Sequence, residues 1–201
     1  MSQVLVGEEK RPWLFTHQEA CKNGSSAVSL LLREKPSGEH VAVFLVEKRP
    51  ALGGVKTLML PGGNIDATHG NHAHVTAKQE IAEESGDKVD HVKPLHHAPI
   101  FISPAISTEN LYFYQVLSKK YLQPDAKHHT PTLDYMERHV QQGEIEVPVK
   151  TLKDDTSFKQ WLNDMHKQGY HMSGIAMIAC KLMPELTPDG KRIAKDTGRG
   201  S

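Results

Sequence analysis

The sequence has little cysteine. Cys21 and Cys180 are too few for a disulfide framework and form neither a CxxC pair nor a metal-ligand spacing. A reducing, cytoplasmic location is therefore expected, with both thiols structural because neither has a base beside it in sequence. Charge of one sign is not in excess: 24 Lys and Arg balance 24 Asp and Glu, so no global field would gather nucleic acid or an acidic membrane surface. Any anionic partner must be held locally. Long apolar runs are missing too. None approaches the roughly 18 residues of a membrane span, and MSQVLVGEEKRPW lacks the apolar stretch of a signal peptide. A soluble protein without nucleic-acid or membrane partners is expected, and 201 residues with 38% hydrophobic content favour one domain with one substantial core.

What is present alternates strand-like and helix-like stretches. SSAVSLLLREKPSGEHVAVFLVEKRP reads as strands at about 26–34 and 41–48 joined by a Pro-Ser-Gly turn, a hairpin pattern. TLMLPGG supplies a short strand that stops at Pro61, where glycines let the backbone come close to a ligand. A helix should follow, because Ala73, Ala77 and Ile81 repeat at four-residue intervals, Asn71 can cap its start and Gly86 can take the left-handed position after its end. HHAPIFIS and ENLYFYQVLS are strand-like around the turn-prone SPAIST. Residues 119–142 form a surface excursion, GEIEVPVKTL returns to a strand, and SFKQWLNDMHKQ and MSGIAMIACKLM read as an amphipathic and an apolar helix. The division expected is an N-terminal segment 1–25, a folded domain 26–184 and a flexible tail 185–201. The histidines clustered in THGNHAH, including His72 and His74, are assigned no metal, since their spacing lacks a partner motif.

The helix gathers Glu80, Glu83 and Glu84 at i, i+3 and i+4, on one side, where each like-charge pair costs about 0.2–0.5 kcal/mol in an isolated helix. A hard divalent cation would reverse that sign, since Mg²⁺ prefers oxygen and shares its shell between a few carboxylates and substrate phosphates. A solvated acidic face is the plain alternative for a bare ExxEE.

PGG, followed by the stretch ending QEIAEESGD, resembles the Nudix box, in which Gly, Glu, Arg-Glu, an aliphatic residue, Glu-Glu and Gly follow at fixed intervals. Gly63, Glu80, Ile81, Glu83, Glu84 and Gly86 match. The family's Arg is Gln79 here, at an offset of sixteen from Gly63 instead of fourteen. The first Glu falls on His69 counted forward or on Asn71 counted back, and neither is an acid. In the family that Glu and Arg brace the loop and helix, whereas the later glutamates bind metal. SPAISTE, from Ser103 to Glu109 ahead of the strand LYFYQV, is similar to the Ser-Pro-Gly…Glu segment of ADP-ribose pyrophosphatases, with Ala105 in place of the glycine. The order of the flanking elements agrees over roughly residues 26–184.

The resemblance implies an α/β/α Nudix sandwich with a mixed sheet, and hydrolysis of the diphosphate of ADP-ribose or a related nucleotide sugar to AMP and a sugar phosphate. It implies Mg²⁺, or Mn²⁺ in its place, on Glu80, Glu83 and Glu84 with the Gly62 carbonyl. Gly62, Gly63 and Ser103 are then substrate contacts. Arg49, ending the strand before the box strand, is a candidate for a substrate phosphate, against the plain reading of a solvated flank. Glu109 and Glu144 are alternative bases or orienting acceptors for the attacking water. Trp13 or Phe15 could stack on adenine or simply pack, and N-terminal segments of related pyrophosphatases contribute to dimers, so a homodimer belongs to the expectation. The competing reading, favoured by Gln79 and the missing first Glu, is a Nudix-derived nucleotide-binding or regulatory module with little turnover.

Overall fold

The structure is a computed structural model that describes residues 2–6, 9–15, 25–49, 53–67, 70–101, 110–120 and 141–183; of residues 2–15, Arg49 and residues 141–142 it describes the backbone alone. Within the segment expected at 1–25, β1 (Ser2–Val6) and β2 (Glu9–Phe15) pair antiparallel as a separate two-stranded sheet. Trp13 and Phe15 lie on β2. The expectations for Cys21, for 121–140 and for the tail lie outside the described residues.

The hairpin forms where the sequence places it. β3 (Ser25–Glu34) and β4 (His40–Arg49) run antiparallel, and their turn closes with Lys35 N–H donating to the Glu39 carbonyl at 2.9 Å. Gly38 takes φ 80°, which an L side chain rarely adopts. β3 is the centre of a mixed open sheet. It lies parallel to β9 (Asn110–Ser118) from Ser25 to Arg33 and antiparallel to β6 (Gly62–Asn64) at Ser26–Val28. β4 pairs with β5 (Val55–Met59) beyond Leu45 and with β10 (Gln141–Pro148) along Val41–Glu47. The rims are β11 (Tyr170–Met172), parallel to β5, and the short strands β7 (Val92–Pro94) and β8 (Ile100–Phe101), antiparallel to β9.

Strand alternation sorts side chains to two covered faces. Val28, Leu30, Leu32, Ala42, Phe44 and Val46 pack with α2 (Val149–Lys153), α3 (Asp155–Lys167) and α4 (Gly174–Leu182) through Leu152, Phe158, Ala176 and Ala179. On the opposite face Ala27, Leu31, Val43 and Val116 receive Ala77 and Ile81 of α1 (Ala73–Ser85). β3 is consequently buried along nearly its whole length, and the fold is α/β with helices on both sides of a mixed sheet. No helix among the described residues is long and apolar enough to cross a membrane. Cys180 packs in the core on the α2–α4 side, where burial pushes its thiol up to about 12.

Three local expectations are corrected. Residues 149–152, the end of the stretch GEIEVPVKTL read as a strand, are helical: Pro148 closes the β10 ladder and stands at the N-cap of α2. Asn71 does not cap α1. It sits in the left-handed region at φ 57° and completes a turn by donating its N–H to the Asp66 carbonyl at 2.8 Å, so His72 becomes the N-cap without a side-chain bond. Extended structure does not end at Pro61: the glycines after it form β6. Gly86 does take the left-handed position after α1, at φ 70°.

Candidate functional site

The chain leaves β5, turns at Leu60–Pro61 and runs into β6 directly beneath the C-terminal half of α1. Ser29 N–H donates to the Pro61 carbonyl at 2.8 Å, which fixes the turn on the centre of the sheet. The two glycines that follow are needed for different reasons. A Cβ on Gly62 would lie 2.5 Å from the Ala27 carbonyl oxygen and 2.9 Å from Val28 Cα, so β6 could not approach β3 with any side chain there. A Cβ on Gly63 would instead collide with the carboxylate of Glu80. The glycine pair thus lets a strand edge lie against the acidic side of the helix.

Glu84 is 3% exposed and accepts the Gly62 N–H through Oε2 at 3.0 Å, a charge-assisted bond that offsets part of the cost of burying the carboxylate. Glu80 is half-buried against Gly63, and Glu83 is exposed to solvent. Two of the three carboxylates are therefore turned to the glycine strand and the third outward. Among the described residues, no three His, Cys, Asp or Glu side chains converge as a group able to hold a metal ion. The donor set itself suits a hard cation, being carboxylate oxygen beside the main chain of a glycine strand that no side chain occupies.

This geometry separates two substitutions. Gly63→Ala should leave the melting temperature within a few degrees of wild type, because the colliding atoms are the mobile end of Glu80, yet displace that carboxylate and weaken any divalent-cation affinity. Gly62→Ala meets backbone and should cost about 1–3 kcal/mol in urea unfolding. Equal stability of the two variants would contradict the separate roles.

Gln79 stands at the position of the expected arginine, and its amide Oε1 is buried and makes no hydrogen bond among the described residues. A second fastening of α1 to the sheet lies just beyond its C-terminus, and apart from Glu144 it involves residues that the sequence did not single out. Arg33, 2% exposed on β3, donates from Nη2 to Asp87 at 2.5 Å and from Nε to both Asp87 oxygens at 3.2 Å. It also reaches Glu144 from Nη1 at 2.6 Å and from Nη2 at 3.0 Å, and Glu146 at 3.1 Å. Asp87, wholly buried just beyond Gly86, further accepts Ser118 Oγ and pairs with Lys120 at 3.7 Å. Burial alone would raise the Asp87 carboxyl, but the bonds from Arg33 and Ser118 outweigh it and hold the group below its ordinary range. Burial opposes the charged guanidinium of Arg33 in the same way, and its bonds to Glu144 and Asp87 hold its pKa above the ordinary value. One signal for this cluster was available: an arginine in register with the buried residues of an apolar strand requires a buried partner.

The remaining candidates fall as follows. Glu144 is on β10 with both oxygens engaged by Arg33, so its geometry is that of an ion-pair partner. Glu144→Gln should cost about 1–2 kcal/mol of stability and leave any single-turnover rate unchanged; a slowed chemical step in a variant of wild-type stability would restore it as a base. Arg49 ends β4 opposite Val55, with its side chain outside the described residues. Ser103 and Glu109 lie outside them altogether.

No family model matches the chain, and comparison with curated proteins gives no significant match.

Proposed function

We propose that this chain is a Mg²⁺-dependent Nudix hydrolase that cleaves the diphosphate of ADP-ribose or a related nucleotide sugar, giving AMP and a sugar phosphate, in the cytoplasm. The observation that carries the reading is the seating of the glycine strand against the carboxylates: Gly62 N–H on Glu84, and Gly63 bare against Glu80. A helix that concentrates like charge at i, i+3 and i+4 costs stability unless a cation is received there. Sequence order and the mixed sheet, covered by helices on both faces, support the same reading.

Glu80, Glu83 and Glu84 would hold Mg²⁺, or Mn²⁺, with the Gly62 carbonyl beside them; when bound, the cation supplies charge neutralisation at the diphosphate and a more acidic water. The protein's own contribution is placement. Gly62 N–H fixes the rotamer of Glu84, and Gly63 leaves room for Glu80 and for a phosphate oxygen near the main chain. Glu109 is the remaining loop candidate for orienting water, since Glu144 is occupied by Arg33. Arg49 and Ser103 are proposed substrate contacts, and a homodimer through the N-terminal segment is compatible with the separate β1–β2 sheet.

The second reading, a nucleotide-binding or regulatory module with little turnover, is favoured by one observation: no three acidic side chains converge among the described residues. Incubation with Mg²⁺ and a panel of dinucleotides and nucleotide sugars, followed by product identification, separates the two. AMP released from ADP-ribose supports the hydrolase. Binding without products across the panel supports the module, and neither binding nor products overturns both.

A further inference from the structure

The fastening beyond α1 is built for direction more than for strength. Arg33 lies on β3, further along the strand from Val28, which pairs with Gly62 of β6. β3 therefore carries both the glycine strand that meets Glu84 and the guanidinium that meets Asp87, just past the end of the same helix. Arg33 grips Asp87 with Nε and Nη2 together, Ser118 Oγ donates to the same carboxylate, and Lys120 Nζ donates to the Ser85 carbonyl at 3.3 Å. Well-packed apolar side chains in place of a buried ion pair often stabilise as much or more, so fastening alone does not call for charge here. What a planar fork adds is a fixed orientation. Orientation matters because α1 rests on the sheet largely through contacts without direction: Ala77 and Ile81 pack on apolar residues, and His72 at the N-cap makes no side-chain bond. A rotation of the helix by about 20° would carry a carboxylate at its outer radius of about 5–6 Å through about 2 Å. Gly62 N–H, 3.0 Å from Glu84 Oε2, would then lose its bond.

We propose that Arg33 and Asp87 are positioning residues for the carboxylate face: their fork sets the rotation of α1 about its axis, hence the placement of Glu84 and Glu80 on the glycine strand, and through it the affinity of the face for a divalent cation. The effect on the cation rests on the hydrolase reading of that face. The coupling from Asp87 to the Gly62–Glu84 bond does not, because it is a matter of helix seating alone.

The test follows backbone amide resonances of the full chain, with Mg²⁺ alone as the probe. One variant is Arg33→Lys, which keeps the charge without the fork; the other is Arg33→Met with Asp87→Leu, which strands no buried charge. Before any cation is added, the Gly62 amide proton should move upfield in both variants as its bond to Glu84 lengthens. Mg²⁺ affinity should fall by about tenfold, the low end of the effect of losing groups that orient metal ligands. Leu152→Ala supplies the control: it creates a cavity on the opposite face of the sheet, lowers the urea midpoint, and should leave the Gly62 shift and the Mg²⁺ affinity at wild-type values. The proposal is overturned by a wild-type Gly62 resonance or wild-type Mg²⁺ affinity in both fork variants, or by an equal change in Leu152→Ala. If Gly62 moves as expected but the wild type binds no Mg²⁺ saturably, the hydrolase reading falls and the coupling stands, so the two failures are distinct.

Discussion

Replacing Arg33 by methionine is expected to destabilise the protein by about 3–5 kcal/mol, the typical result of removing one partner from a buried charge cluster. Asp87 is wholly buried and, among the described residues, its carboxylate would keep only Ser118 Oγ and the more distant Lys120, so it would be left largely uncompensated. Urea unfolding measures the loss. A double variant, Arg33→Met with Asp87→Leu, should recover a substantial part of it, because no buried charge is then stranded. Loss below about 1 kcal/mol in the single variant would mean that the cluster contributes nothing net. The pH dependence has a definite sign. Asp87 is held below its unfolded value of about 3.9, so its stabilisation is present above that pH and is lost as pH falls through the lower, folded value. Arg33, held above its already high unfolded value, contributes fully at every accessible pH and adds no slope. The variant's acid limb should therefore be flatter than wild type's between about pH 4 and the onset of acid unfolding.

Arg33 announces a buried partner, but which residues supply it could not be read because they are distant along the chain: Arg33 and Asp87 are 54 positions apart, Arg33 and Glu144 are 111. Local patterns carried what was local. The β3–β4 hairpin followed from two strand-like apolar runs around a Pro-Ser-Gly turn, and α1 followed from Ala73, Ala77 and Ile81 with Gly86 after its end. Where two local uses competed, the sequence was ambiguous. Asn71 is an acceptable cap and an acceptable left-handed turn residue, and the turn from Asp66 took it. Val149 and Thr151 suit a strand, yet Pro148 ended the ladder first. Pro61 and the glycines read as the end of a strand, while the lack of a Cβ at Gly62 is what permits pairing with β3 and at Gly63 what leaves room for Glu80 of α1.

For the site the same distinction holds. Spacing alone put Glu80, Glu83 and Glu84 on one side of α1, but it could not say that Glu84 turns inward onto Gly62 while Glu83 faces water. Nor could it show that Glu144 stands on β10 with both oxygens held by Arg33, which sets it apart from Glu109.

Glu84→Gln is expected to lower turnover of ADP-ribose by more than about a hundredfold while the protein remains folded. The amide oxygen can still accept the Gly62 N–H, so the geometry of β6 beneath the helix is retained. What disappears is a charge that is 3% exposed and lies close to Glu80 and Glu83, so stability should be unchanged or slightly higher, by a few tenths of a kcal/mol. These two outcomes together separate a cation site from a structural carboxylate. A structural Glu84 would lose stability on neutralisation through its weakened bond to Gly62, and cation affinity would not move. Matched Mg²⁺ and Mn²⁺ titrations of turnover, with urea unfolding of both proteins in EDTA, make the comparison. Wild-type turnover in a folded Glu84→Gln variant would remove the carboxylate face from the reaction, and the seating of the glycine strand would then have to be explained by packing alone.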